Sequence, residues 1–246
     1  MIFDGIDFLT AIVGIFFGSF VLSTLGFGIG IAGTPFMLLS MSAPEAVVVI
    51  NTVSLLVFAL LIRKTRKSIK YRQILFPTVL GIVGVPVGVY LLGIVNPSTL
   101  RVVMAFVIVA CGSLAGWRRT SIPDNRSLFL TVSFLVGILL TVSGIGGPIM
   151  ALIAVSKNWT QDTIRGSLSF YFLFVEGAAV VGYLLFGFLS KDLFVLVGVG
   201  IIPAILGFTL ASNIVKRINE RIYRSTVIAI IIASGVSVLG KEILGL

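Results

Sequence analysis

Hydrophobic and polar positions fall in long alternating blocks along the chain. Apolar runs occupy residues 6–25, 44–62, 73–94, 98–117, 128–143, 163–189, 193–212 and 223–244. Most approach the roughly 20 residues that a membrane-spanning helix needs. Two further runs, 28–41 and 144–156, are shorter and begin at glycine clusters. Their length suits a re-entrant segment better than a full crossing. The pattern therefore predicts an all-α membrane protein in which two of the apolar segments turn back inside the bilayer.

Composition strengthens that reading. Hydrophobic residues make up 58% of the 246-residue chain and charged residues only 11%, less than half the usual charge of a soluble domain, so no separate soluble domain is expected. The same numbers exclude a disordered chain. The net charge of +9 would suggest nucleic-acid binding in a soluble protein, but here the location of the charges explains it. Fifteen of the eighteen basic residues lie in four stretches, 63–72, 118–126, 157–165 and 216–224, leaving only Arg101, Lys191 and Lys241 elsewhere. Basic residues collect on the cytoplasmic side of inner-membrane proteins, so all four stretches are expected to be cytoplasmic. Asp4 and Asp7, with no basic stretch before them, argue against a cleaved signal peptide. Cys111 is the only cysteine and there is no histidine, which leaves no internal disulfide and removes the commonest general base and metal ligand. No cofactor is expected.

This orientation requires the N-terminus to be outside and residues 6–41 to leave from and return to one face. They form a helical hairpin bent at Gly26–Gly33. Residues 128–156 do the same from the opposite face, bent at Ser143–Gly147, and the C-terminus also ends outside. Each hairpin precedes three spans. The expected organisation is a first membrane repeat over 1–117, a cytoplasmic linker over 118–127 and a second repeat over 128–246. The halves also pair weakly in sequence: Gly33-Thr34-Pro35 with Gly146-Gly147-Pro148, Thr52 and Ser54 with Ser167 and Ser169, Arg101 with Arg224 and Gly112 with Gly235. Similar halves with opposite orientations describe an inverted-topology repeat, an architecture of secondary transporters whose sites lie where broken helices meet near the midplane.

The glycine clusters suit such a site. Gly26, Gly28 and Gly30, like Gly144, Gly146 and Gly147, are poor helix formers. Thr34-Pro35 then reads as an N-cap followed by proline at the first helical position, and Gly147-Pro148 reads similarly. Each half-helix would present unpaired N–H groups and the positive end of its dipole to the membrane centre, which favours an anion. Gly28, Gly30, Gly33, Thr34 and Pro35 from the first break, and Ser143, Gly144, Gly146, Gly147 and Pro148 from the second, are the candidate substrate-binding residues. Asn51, Thr52, Ser167 and Tyr171 on the following spans are candidate neutral partners for an oxyanion, and Arg165 could attract an anion from the cytoplasm. The bland alternatives are helix packing for the glycines, backbone hydrogen bonds for the polar residues, and a membrane-face charge for Arg165. Glu176 lies in mid-span and shares a helix face with Ser169 and Tyr183. An intramembrane carboxylate suggests a proton-coupling residue, with a structural, protonated glutamate as the alternative.

The run Gly28-x-Gly30-x-x-Gly33-x-Pro35, the later Asn51-Thr52, Gly81-x-x-Gly84-x-x-x-Gly88, Gly144-Ile145-Gly146-Gly147-Pro148 and Arg165-Gly166-Ser167 together resemble the TauE/SafE sulfite exporter family of membrane permeases. The resemblance runs over nearly the whole chain. It implies movement of sulfite, a sulfonate or a related organic anion across an inner membrane, coupled to an ion gradient. Protons are the candidate coupling ion, and the expected partners are a small anion and the lipid bilayer. An anion channel is the rival reading, since half-helices also build selective pores. A membrane-embedded enzyme would need clustered acids, histidine or arginine, and Glu176 is the only acid deep in a span.

Overall fold

The computed structural model describes residues 3–100, 102–104, 106, 125–157 and 159–214. Within them the chain is helical, with no strand. The helices are α1 Gly5–Leu25, α2 Ile29–Met37, α3 Ala43–Thr65, α4 Tyr71–Ile94, α5 Arg126–Ser143, α6 Gly147–Ser156, α7 Gln161–Leu185 and α8 Lys191–Ile214. Six of the described helices, all but α2 and α6, are long and apolar enough to cross a membrane. The expected spans over 98–117 and 223–244, with Arg101, Cys111, Gly112, Arg118, Arg119, Arg224 and Gly235, lie wholly or largely outside the described residues.

Local chemistry sets the helix ends. Asp4 accepts from the N–H groups of Ile6 and Asp7 at 2.9 and 3.0 Å, and Asp7 accepts from the Asp4 N–H, which closes a capping box on α1. Ser42 and Glu45 start α3 in the same way, and Asn125 and Thr160 cap α5 and α7. Two of these helices stop at a glycine in the left-handed region. Gly26 (φ 84°) ends α1 and Gly144 (φ 69°) ends α5. Each donates its N–H to the carbonyl four residues back, Leu22 and Leu140, at 2.7 Å. A side chain is strained in that conformation, which is why glycine occupies both places.

After each stop the chain reverses. The short helix α2 runs back along α1: Gly18 packs on Ile29, Gly14 on Gly33, and Thr10 hydrogen-bonds Ser40 at 2.7 Å. The return of α6 along α5 brings Gly146 against Val136 and Leu140. Both anticipated hairpins are therefore present. The starting point of α2 differs from expectation. Helix resumes at Ile29, directly after the left-handed Gly28 (φ 102°), so Pro35 lies inside α2 and Thr34 is not its N-cap. The missing Pro35 N–H leaves the Ile31 carbonyl without its usual helical donor. Pro148 stands in the first turn of α6, one residue after the first helical position expected for it, where a proline still needs no partner. The sequence pairing of Gly33 with Gly146 therefore matches different helix positions. Aligning the two left-handed glycines, Gly26 with Gly144, also aligns the first residues of α3 and α7, Ala43 and Gln161.

Helices α3 and α7 cross antiparallel at the centre, with Ser54 on Glu176, the rings of Phe58 and Phe172 stacked at 5.6 Å, and Thr65 beside Gly166. Around them α4 packs parallel to α5 and α8 parallel to α1. Close approach relies on glycine: a Cβ on Gly137 would lie 2.1 Å from the Gly81 carbonyl oxygen, and one on Gly207 would lie 2.5 Å from that of Phe16. Small residues permit such backbone contact in membrane helices. Among the described spans, the exposed faces are largely apolar and many polar side chains are buried. Leu75, Val79, Val83 and Val87 form an exposed stripe on α4, whereas Asn51, Ser54, Ser133, Thr141, Ser169 and Glu176 are buried. That distribution suits lipid as the surrounding solvent.

Candidate functional site

The two breaks pack directly on each other. A Cβ on Gly30, in the first turn of α2, would lie 1.9 Å from the carbonyl oxygen of Gly144. Reciprocally, a Cβ on Gly147, at the start of α6, would lie 2.8 Å from Cβ of Phe27. Two half-helix N-termini thus meet in the interior, and Gly30 and Gly144 to Pro148 are all buried. The first N–H groups of each half-helix have no carbonyl one turn earlier to bond.

Ending a helix inside the bundle also exposes carbonyls, and polar side chains from the central pair satisfy them. Arg165, near the start of α7, donates through Nη2 to the Ser23 carbonyl in the last turn of α1. Its positive charge there also complements the negative end of the helix dipole. At the end of α5 the Leu140 carbonyl, already paired with the Gly144 N–H, gains a second donor in Asn51. Its Nδ2 donates to the Leu140 carbonyl at 3.1 Å and to the Tyr183 hydroxyl at 3.0 Å. Tyr183 in turn donates to the Thr141 carbonyl at 2.6 Å. The Ser54 hydroxyl lies 2.7 Å from the Asn51 carbonyl and hydrogen-bonds Glu176. One chain of contacts therefore runs from Glu176 through Ser54, Asn51 and Tyr183 to the end of α5.

Beside Gly144 two buried oxygens have no hydrogen-bond partner among the described residues, Thr34 Oγ1 and Asn51 Oδ1. Both residues are fully buried. A Cβ on Gly144 would point between them, 3.2 Å from Asn51 Oδ1 and 3.9 Å from Thr34 Oγ1, with Ile50 Cγ2 at 3.2 Å as the third neighbour. Gly30, Thr34, Asn51 and Gly144 are thus brought together, with Gly28 and Gly147 close by in the same breaks.

Other sequence candidates are occupied elsewhere. Gly33 packs on the Gly14 carbonyl and Gly146 on its own hairpin. Thr52 donates back to the Val48 carbonyl. Ser143 donates to Leu139 at 2.7 Å and accepts from the Ile145 N–H, so its single proton is already used. Ser167 accepts from the Lys70 N–H at the basic-loop end of the bundle. Tyr171 donates to the Ser133 carbonyl and packs on Gly81. Phe27 and Tyr183 were absent from the sequence candidates for the site. Tyr183 had one available signal, its seven-residue spacing from Glu176; Phe27, flanked by glycines, had none that separates it from a packing residue.

An apolar-surfaced bundle of span-length helices, with two interrupted hairpins abutting in its interior, is the build of a polytopic membrane permease. The chain belongs to the sulfite exporter TauE/SafE family, whose model matches residues 10–238 and so covers both hairpins and the central pair. No curated protein and no solved structure matches the chain.

Proposed function

We propose that this protein is a secondary transporter that moves a small oxyanion, sulfite or a related sulfonate, across an inner membrane by alternating access. The observation that carries the proposal is the meeting of the two half-helix N-termini beside two buried, unpartnered oxygens at Gly144. Unpaired N–H groups and the positive dipole ends favour an anion, and the Thr34 hydroxyl can add a donor. The family's description supports sulfur oxyanions as the substrate class. Gly28, Gly30, Thr34, Asn51, Gly144, Gly147 and Pro148 form the proposed site.

Residues 1–117 and 128–246 are proposed as inverted repeats joined by a cytoplasmic linker, with both termini outside. The exchange of partners, α4 on α5 and α8 on α1, supports this, as does the shared register of the breaks and of the α3 and α7 starts. Glu176 is proposed to carry the coupling proton. The Ser54 hydroxyl has one proton and two acceptors, the Asn51 carbonyl and Glu176. A proton on the carboxyl group lets Glu176 donate to Ser54 and Ser54 donate to Asn51, so every group is satisfied.

Thermal unfolding of the purified protein with added sulfite tests the reading. A ligand bound only by the folded state adds about 2.7 kcal/mol at a hundred times its Kd, so the Tm should rise with sulfite concentration. Thr34→Val should shift that titration to higher concentration. No rise with sulfite or with any sulfonate would contradict the proposed site.

A further inference from the structure

The orientation of the Asn51 amide is dictated by its neighbours. The Tyr183 hydroxyl spends its proton on the Thr141 carbonyl, so it can only accept from Asn51, and the Leu140 carbonyl is an acceptor by nature. Both therefore require the NH2 group. The amide oxygen is left on the Gly144 side, 3.2 Å from where a Cβ on that glycine would stand, and there it is fully buried with no partner among the described residues. An anion site would be expected to present donors only. Here a fixed acceptor stands beside the Thr34 hydroxyl. A bare oxyanion placed against Asn51 Oδ1 would meet oxygen with oxygen and leave the acceptor buried and unsatisfied.

We infer that Asn51 is a specificity residue that selects oxyanions carrying their own hydrogen-bond donor. The ligand's charged oxygens would face the N–H groups of α2 and the Thr34 hydroxyl, and its O–H or N–H would reach Asn51 Oδ1. Hydrogensulfite, protonated on oxygen, fits this description, and so does a sulfonate with a nearby hydroxyl. Fully deprotonated sulfate and an alkyl sulfonate do not. Sites built to hydrogen-bond a substrate hydroxyl discriminate strongly against analogues lacking it, because the buried polar group is then stranded. The inference rests on the proposed anion site and adds the ligand class to it.

The test uses the unaltered protein and two sulfonates of nearly equal size, 2-hydroxyethanesulfonate and propane-1-sulfonate. Leaving a buried acceptor unmatched costs about 1–3 kcal/mol, so the hydroxylated ligand should bind about 5- to 150-fold more tightly by calorimetry. In Thr34→Val both affinities should fall while the ratio between them persists, because the discriminating oxygen belongs to Asn51. Equal binding of the two sulfonates would overturn the role of Asn51 and leave the anion site standing. Absence of binding by either sulfonate and by hydrogensulfite would overturn the anion site and this inference with it.

Discussion

Ser54 and Glu176 make a polar contact between the two central helices, one helical turn from the paired rings of Phe58 and Phe172. The register that aligns Gly26 with Gly144 carries Ser54 onto Phe172 and Phe58 onto Glu176, and those two rings stack at 5.6 Å. One turn of the crossing therefore holds a carboxyl group linked to Asn51, and the next holds two stacked rings. If Glu176 carries the coupling proton, Glu176→Gln should keep anion binding and anion exchange, because the amide can still donate to Ser54. It should lose the response of net flux to a pH gradient. Flux driven by a pH gradient, compared with anion exchange in the same vesicles, checks this; intact pH-driven flux would remove Glu176 from coupling.

Gly30→Ala should be destabilising, although alanine is ordinarily the better helix former by about 0.5–1 kcal/mol. The added methyl would stand 1.9 Å from the Gly144 carbonyl oxygen and force the breaks apart. Overpacking of this kind costs about 1–3 kcal/mol. Gly144→Ala combines a left-handed φ of 69° with a methyl group pointed between Asn51 and Thr34. It should lower the Tm and abolish sulfite-dependent stabilisation together.

Thr34→Val and Ser143→Ala should separate binding from folding. The Thr34 hydroxyl has no protein partner among the described residues, so its loss should weaken sulfite binding about tenfold or more, the scale of a hydrogen bond to a charged group. The Ser143 proton is held by the Leu139 carbonyl, so its loss should cost about 1 kcal/mol of stability and leave affinity unchanged. Titration calorimetry and thermal unfolding of both variants check the contrast.

The basic turn between α3 and α4 gives a direct test of orientation. Lys67 is exposed there. In a Cys111→Ser background, Lys67→Cys should resist an impermeant thiol reagent applied to intact cells and react once the membrane is opened. Labelling from outside would reverse the orientation inferred from the basic residues.

Six of the expected spans and the two hairpins were legible in the sequence because apolar length and glycine position act locally. Gly26 and Gly144 are required by their own backbone angles, whatever packs around them. The start of α2 was less legible: Thr34-Pro35 carries a good helix-start signal, yet Gly28 releases the chain into helix earlier. Most of the polar assignments depended on partners far away in the chain. Arg165 could be read as a charge at the membrane face, and nothing near it in sequence announces the Ser23 carbonyl. Ser167 looked equivalent to a midplane residue until the fold placed the Lys70 N–H against it. Asn51 was recognisable as polar and buried, but its division into a structural amide nitrogen and an unpaired oxygen exists only once Tyr183 and Leu140 are in place.

Countertransport is the most direct test of transport by alternating access through the Gly144 site. Proteoliposomes preloaded with unlabelled sulfite should take up labelled sulfite faster than empty ones, the uptake should saturate, and Gly144→Ala should abolish it. Uptake that rises linearly with sulfite concentration and is indifferent to internal sulfite would contradict the account.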